Sequence, residues 1–396
     1  MSPLVQSERV EFANSLRGLA CLSVVLSHYC GVFWFKPEAV SYFTNIPCPA
    51  VNHSVPAFCL WAKPNPYLNL GPLGVAVFFL ISGFVIPYSM ARQSFCQFCI
   101  IRLLRIWPTY LAGFAVTLLA VLCGCYLFNV EGPFSLYEVA IHSIPGLRDL
   151  IGSRNIDGII WTLEIEVKFY AVCAISCVLL RKKSILAFAL PVVLAAFALW
   201  LSTMLPTLSL AHPKRAAFLS TLLNLSQFIV FMYIGVVFHY MHVGAIKAEN
   251  AVLLIASLFI MTCMIWTSGP YNNSIHIAWN YGFAVAIFAF AMSWPQLFRS
   301  NRVLDFFADI SYPLYVIHGI AGYVLMRTLQ EYGWTPGPII ILTTFVAISL
   351  AWGIHRLVEK PSQSFGKRLF RKSPNESIIP INLVENTIVP QTRLAA

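Results

Sequence analysis

Residues 71–87 read GPLGVAVFFLISGFVIP, an apolar run that no charge interrupts. A helix needs about 20 mainly apolar residues to cross roughly 30 Å of hydrocarbon. Runs that approach this length recur along the chain. Spans are predicted over 14–35, 72–90, 107–128, 159–180, 184–204, 218–240, 251–267, 275–294, 310–330 and 338–357. The composition agrees: of 396 residues, 58% are hydrophobic and only 11% charged. Soluble domains carry roughly 25% charged residues, so a large soluble core is excluded. The fold class expected is an all-α polytopic membrane protein of about ten transmembrane helices.

The net charge is +10. Its basic residues sit in short loops beside apolar spans, which suits anionic lipid headgroups rather than nucleic acid. With a cytoplasmic N-terminus, about 18 Lys and Arg fall in inside segments and about 7 in outside ones. The positive-inside rule then places both termini in the cytoplasm. Residues 1–372 form one transmembrane unit with a long, Pro-rich outside loop over 36–70. Residues 373–396 are a polar tail with no periodicity, expected to be disordered. No cleavable leader is expected, because the first apolar stretch carries Arg17 and His28 and no small-residue cleavage site follows it.

Most of the 11 cysteines lie in apolar segments and read as small hydrophobes. Cys96 and Cys99 form a lone C-x-x-C without a second pair, so no metal site is expected. Cys48 and Cys59 share the outside loop. They pair as a disulfide or remain two free thiols.

Ionisable residues inside a membrane are costly and mark functional sites. Arg17 and His28 are eleven residues apart. At about 100° and 1.5 Å per residue they share one face, roughly 16 Å apart. Glu164 and Glu166 in WTLEIEVKFY lie about 200° apart, so they face opposite sides. Lys168 is spaced to pair with Glu164, which leaves Glu166 the freer carboxylate. Arg102 and Arg105 in RLLRIWPTY lie side by side, a pairing that suits phosphate. His318 follows Tyr312 and Tyr315 in ISYPLYVIHG, and serves either a helix contact or a proton path. Gly71, Gly74, Ser82 and Gly83 allow close helix packing.

Taken together these segments resemble the bacterial acyltransferase-3 family of membrane O-acyltransferases. SLRGLACLSVVLSHY carries the R-x10-H arrangement at Arg17 and His28. GVAVFFLISGFVI fits G-x-x-x-F-F-x-x-S-G-F at Gly74, Phe78, Phe79, Ser82, Gly83 and Phe84. RLLRIWPTY fits R-x-x-R-x-x-P-x-Y, and WTLEIEVKFY puts Glu166 in the acidic position. ISYPLYVIHG fits S-Y-x-x-Y-x-x-H at Ser311, Tyr312, Tyr315 and His318, and VEKP closes the series with Glu359 and Pro361. Six motifs run in order over about 14–361. The resemblance implies a bundle around an acyl-CoA pore in a bacterial inner membrane. Cytoplasmic acyl-CoA, acetyl-CoA above all, would acylate a hydroxyl of an extracytoplasmic or lipid-linked glycan. Some relatives carry a C-terminal esterase-like domain, which is not expected here. The long first outside loop is larger than a minimal member needs and suits acceptor selection.

In that chemistry His28 is the expected base and Glu166 a group that orients it. Arg17, Arg102 and Arg105 are the expected donor-binding residues, with Ser82, Tyr312 and His318 as further candidates. The alternative is a multi-span transporter or flippase for a lipid-linked sugar, which broken helices or inverted repeats would favour. No repeat is evident.

Overall fold

The computed structural model describes residues 10–49, 55–65, 67–268 and 275–370. Helix α1 (Glu11–Leu26) continues through a π-helical segment (Ser27–Val32) and one further turn (Phe33–Phe35). Then follow α2 (Leu70–Arg92), α3 (Phe95–Leu127), α4 (Ile160–Ile175), α5 (Ala189–Ala211) and α6 (Pro213–His242). The chain continues through α7 (Ala248–Ser268), α8 (Ile277–Ser293), α9 (Arg302–Ile317), α10 (Ile320–Glu331) and α11 (Pro336–Ile354). There is no strand among the described residues. This is an all-α polytopic membrane protein. The predicted tail 373–396 lies outside the described residues.

Among the described residues, seven helical stretches are long and apolar enough to cross a membrane: Glu11–Phe35, Leu70–Arg92, Phe95–Leu127, Ile185–Ala211, Pro213–His242, Ala248–Ser268 and Pro336–Leu369. They fall on seven of the ten predicted spans. The other three predicted spans fall on shorter or interrupted helices. Helix α4 has 16 residues, about 24 Å, and breaks where the Ser176 hydroxyl bonds back to the Val172 carbonyl. Helix α8 has 17 residues. The predicted span 310–330 is two helices: α9 starts earlier, at Arg302, and ends at His318, and Gly319 precedes α10.

Helix α6 is the centre of the bundle, with every residue from Ser226 to Tyr240 buried. It crosses α2 at Gly83 and Gly235. A Cβ on Gly83 would collide with the Met232 carbonyl, and one on Gly235 with that of Leu80. Only hydrogen at both positions permits backbones this close. Helix α1 lies on α9 in the same manner, Gly18 against the Leu304 carbonyl. Asn14 donates to Asp305 at 2.7 Å and fixes the register of that pair.

Helix α3 begins with a reciprocal cap between Ser94 and Gln97. Its 33 residues extend about 50 Å, well beyond the hydrocarbon thickness. The surplus carries Arg102 and Arg105 at the membrane face where α1 begins and α2 ends.

Candidate active site

A narrow cleft runs between α1, α2, α3, α4 and α9. Arg17, Arg102 and Arg105 gather in it with Glu166 and Tyr170. Val75, Phe78, Phe79 and Ile81 form an apolar wall, and Ile159, Thr162, Tyr312 and Tyr315 also line it. The cavity volume is about 100 Å³. A water needs roughly 10–15 Å³ of such space, so the slot is a confined one.

Arg102, Glu166, Tyr312 and Tyr315 are held by neighbouring helices. Arg102 donates to the Ser89 hydroxyl at 2.5 Å, and its guanidinium lies over the rings of Phe98 and Tyr170. Its Nε is buried with no partner. Glu166 accepts from Ser82 at 3.0 Å and, on the same oxygen, from Tyr170 through a short hydrogen bond. Tyr312 donates to the Ile106 carbonyl at 2.8 Å. Thr162 gives its own proton to the Ile159 carbonyl, so Tyr315 is the donor in their 2.8 Å contact. Three guanidiniums share this lining with one carboxylate, a surplus of positive charge in a confined site.

The start of α4 is set by residues that sequence reasoning missed. Asp157 accepts from the Ile159 and Ile160 amides at 3.0 and 2.9 Å. It is held in turn by the Tyr110 hydroxyl at 3.1 Å, which also meets His142 Nδ1 at 2.8 Å. His142 Nε2 accepts from the Ile156 amide, so the ring spans both sides of the cap. Asp157 ahead of the apolar run was an available capping signal. Tyr110 and His142 carry none, because the contact is tertiary.

The expected Glu164–Lys168 pair does not form. Arg148 from a preceding short helix takes Glu164 in a two-pronged bridge at 3.0 and 2.5 Å, and Lys168 pairs with Asp149 at 2.6 Å. The planar guanidinium of Arg148 forks onto both oxygens of Glu164, while Lys168 reaches both oxygens of Asp149 instead.

His28 is not in the slot. The helix turns π-helical from Ser27, so the face argument holds only up to that point. Its Nδ1 lies 2.8 Å from the Tyr323 hydroxyl, and its ring meets that of His318 edge-on at 4.7 Å. Glu166 does not orient His28; Tyr323 does, a residue that no motif or spacing marks. His318 Nδ1 lies 3.0 and 2.9 Å from the Leu314 and Tyr315 carbonyls. Both partners only accept, so Nδ1 carries the proton and Nε2 keeps a lone pair. That Nε2 is buried without a partner. The Tyr315 ring lies 5.7 Å from His318 and 6.1 Å from Phe78, so it stands between the slot and the histidines.

An acyltransferase-domain family matches residues 10–356, nearly the whole described chain. The chain belongs to the acyltransferase-3 family. It is similar to Nodulation protein 10 of Rhizobium leguminosarum bv. viciae, 26% identical over 285 residues that make up 66% of this chain and 73% of that protein. No solved structure matches it. The protein is therefore a multi-pass membrane acyltransferase of the O-acyltransferase class. The break between α9 and α10, a feature also of transporters, falls inside the family's S-Y-x-x-Y-x-x-H element.

In this acyltransferase the motif residues separate into two groups. Arg17, Ser82, Arg102, Arg105, Glu166 and Tyr312 surround the slot, and His28 and His318 lie beyond its inner end. Cys48 and Cys59 are both free thiols. Cys59 is buried in hydrogen-bonding contact with Cys30, whereas Cys48 is exposed.

Proposed function

We propose that the protein moves an acyl group, most simply acetyl, from cytoplasmic acyl-CoA to a hydroxyl of an extracytoplasmic or lipid-linked glycan in a bacterial inner membrane, with both termini cytoplasmic. The observation that carries this reading is the slot itself. Three arginines stand at one end, an apolar wall follows, and a histidine pair lies beyond it.

Buried positive charge in excess asks for an anion. The phosphates of CoA supply it at the mouth, where Arg102 and Arg105 present forked donors. In this reading the nucleotide stays at the mouth, where Arg102 and Arg105 stand. The thin pantetheine arm follows Val75, Phe78, Phe79 and Ile81 towards Tyr315. Arg17, deeper in the slot, helps to hold that arm. Ser82 and Tyr170 fix Glu166, which balances part of the guanidinium charge.

Transfer breaks the acyl C–S bond as the acyl C–O bond forms. The acceptor hydroxyl loses its proton to His28, and that same proton passes on to the departing thiolate, so that CoA leaves as the free thiol. The step uses the His28 tautomer that carries its proton on Nδ1, which donates to the Tyr323 hydroxyl and leaves Nε2 as the basic lone pair. The edge-on His318, with its own free Nε2, stands beside the charged ring of His28 until the proton passes to the thiolate. Direct transfer needs no covalent enzyme intermediate.

The test is a strain that lacks the protein, compared with its parent by mass spectrometry of envelope glycans and glycolipids. Loss of one acyl mass from one component identifies group and acceptor together. Identical spectra under conditions of expression would refute the reading.

A further inference from the structure

We infer that a second cavity, at the opposite end of α1 from the arginines, binds a neutral sugar ring of the acceptor. The inference rests on the glycan-acyltransferase reading above and names where that acceptor sits. The cavity has a volume of about 250 Å³ and is walled by Phe33 and Trp34 and edged by Glu38, Ser41, Arg327 and Gln330.

Its position follows from the order of residues along the first span. Trp34 lies seventeen residues beyond Arg17, past the π-helical segment. His28 falls between, eleven residues from Arg17 and six from Trp34. The link to the histidines is continuous. Phe33 meets the Tyr323 ring at 6.2 Å, and the Tyr323 hydroxyl touches His28. Arg327 is one helical turn after Tyr323, on the same face of α10. A donor arriving from one end and an acceptor held at the other would thus meet at His28.

The lining matches a sugar and not another hydroxyl compound of the membrane. A pyranose presents apolar C–H faces and a rim of hydroxyls. Trp34 and Phe33 give the apolar wall. Glu38 is exposed on the rim, and Ser41 adds a hydroxyl. Gln330 is 9% exposed, and its Oε1 has no hydrogen-bond partner. A buried amide oxygen left empty costs the fold free energy, and a ligand hydroxyl would satisfy it. Arg327 is already engaged by Glu331 at 2.8 Å and by the Pro47 carbonyl. The free charge of the cavity is therefore the carboxylate of Glu38, which disfavours a phosphate or a uronic acid and favours a neutral ring. An acyl-lipid acceptor would find no reason for these four polar groups.

The test uses the full-length protein in membrane vesicles. The acceptor is the unacylated glycolipid extracted from a strain that lacks the protein, and the donor is radiolabelled acetyl-CoA. Three quantities are read: transfer to glycolipid, acceptor-independent release of free CoA, and the thermal unfolding midpoint. Gln330→Leu removes the orphaned oxygen at nearly constant volume. It is expected to raise the KM for glycolipid about tenfold, with CoA release within twofold of wild type and a midpoint no lower. Glu38→Gln, on the exposed rim, is expected to act in the same direction and carries no burden in the core. An unchanged glycolipid KM in both variants overturns the proposal, as does an equal fall in CoA release. A wild-type protein that releases CoA yet never labels glycolipid refutes the glycan reading itself, before either variant is compared.

Discussion

Replacing Arg105 by Gln tests the assignment of the slot. Three guanidiniums share the lining with one carboxylate, so removing one relieves like-charge repulsion and should leave the fold at least as stable. Arg102 is fixed by Ser89 and two aromatic rings, which makes Arg105 the cleaner target. A hydrogen bond to a charged group contributes about 1.5–3 kcal/mol. At 1.36 kcal/mol per decade that is about 10- to 150-fold in binding. The phosphates lie remote from the reacting carbonyl, so the loss should appear in KM with kcat little changed. The assay compares acetyl-CoA with acetyl-pantetheine, which lacks the nucleotide phosphates. Arg105→Gln should raise KM for the first and leave the second unaltered. Equal losses for both donors, or a fall in kcat alone, would refute a phosphate contact at this residue.

Other outcomes follow from the loop that seats α4. Glu164→Gln strands Arg148, whose partner is almost completely buried; breaking a buried pair costs about 3–5 kcal/mol, and a thermal midpoint within a degree of wild type would contradict the bridge. Burial holds the His142 imidazole below its usual range. A depressed imidazole pKa means that charging the ring opposes the fold. Stability is therefore intact above the ordinary value near 6.5 and falls as pH drops below it. Midpoints measured from pH 7.5 to 5 should show this decline in wild type, and a shallower one in His142→Asn.

The layered reading of the chain reflects how far each signal reaches. Apolar runs are local, so α1, α2, α3, α5, α6, α7 and α11 are legible from composition alone. The break at His318 is not, because Pro313 and Gly319 are each tolerated inside membrane helices. The 200° between Glu164 and Glu166 is a property of one helix, and they do turn to different partners: Arg148 for one, Ser82 and Tyr170 for the other. Which partner each finds is a tertiary matter. Spacing therefore pointed to Lys168, whereas Arg148 of a preceding short helix takes Glu164. Tyr323 is 295 residues from His28, and no periodicity links them. The π-helical segment from Ser27 likewise has no signature in SLRGLACLSVVLSHY, yet it turns His28 away from the arginine face and towards α9 and α10.

The central claim is that a donor held at the arginine mouth delivers its acyl group at the histidine pair. It is tested most directly in inverted membrane vesicles supplied with radiolabelled acetyl-CoA from the cytoplasmic face, comparing wild type with His28→Ala at equal amounts of folded protein. The account predicts labelled ester on the glycan in wild-type vesicles, loss of about 99% of that label in the variant, and no label on the denatured protein in either. Retained turnover in His28→Ala would contradict it.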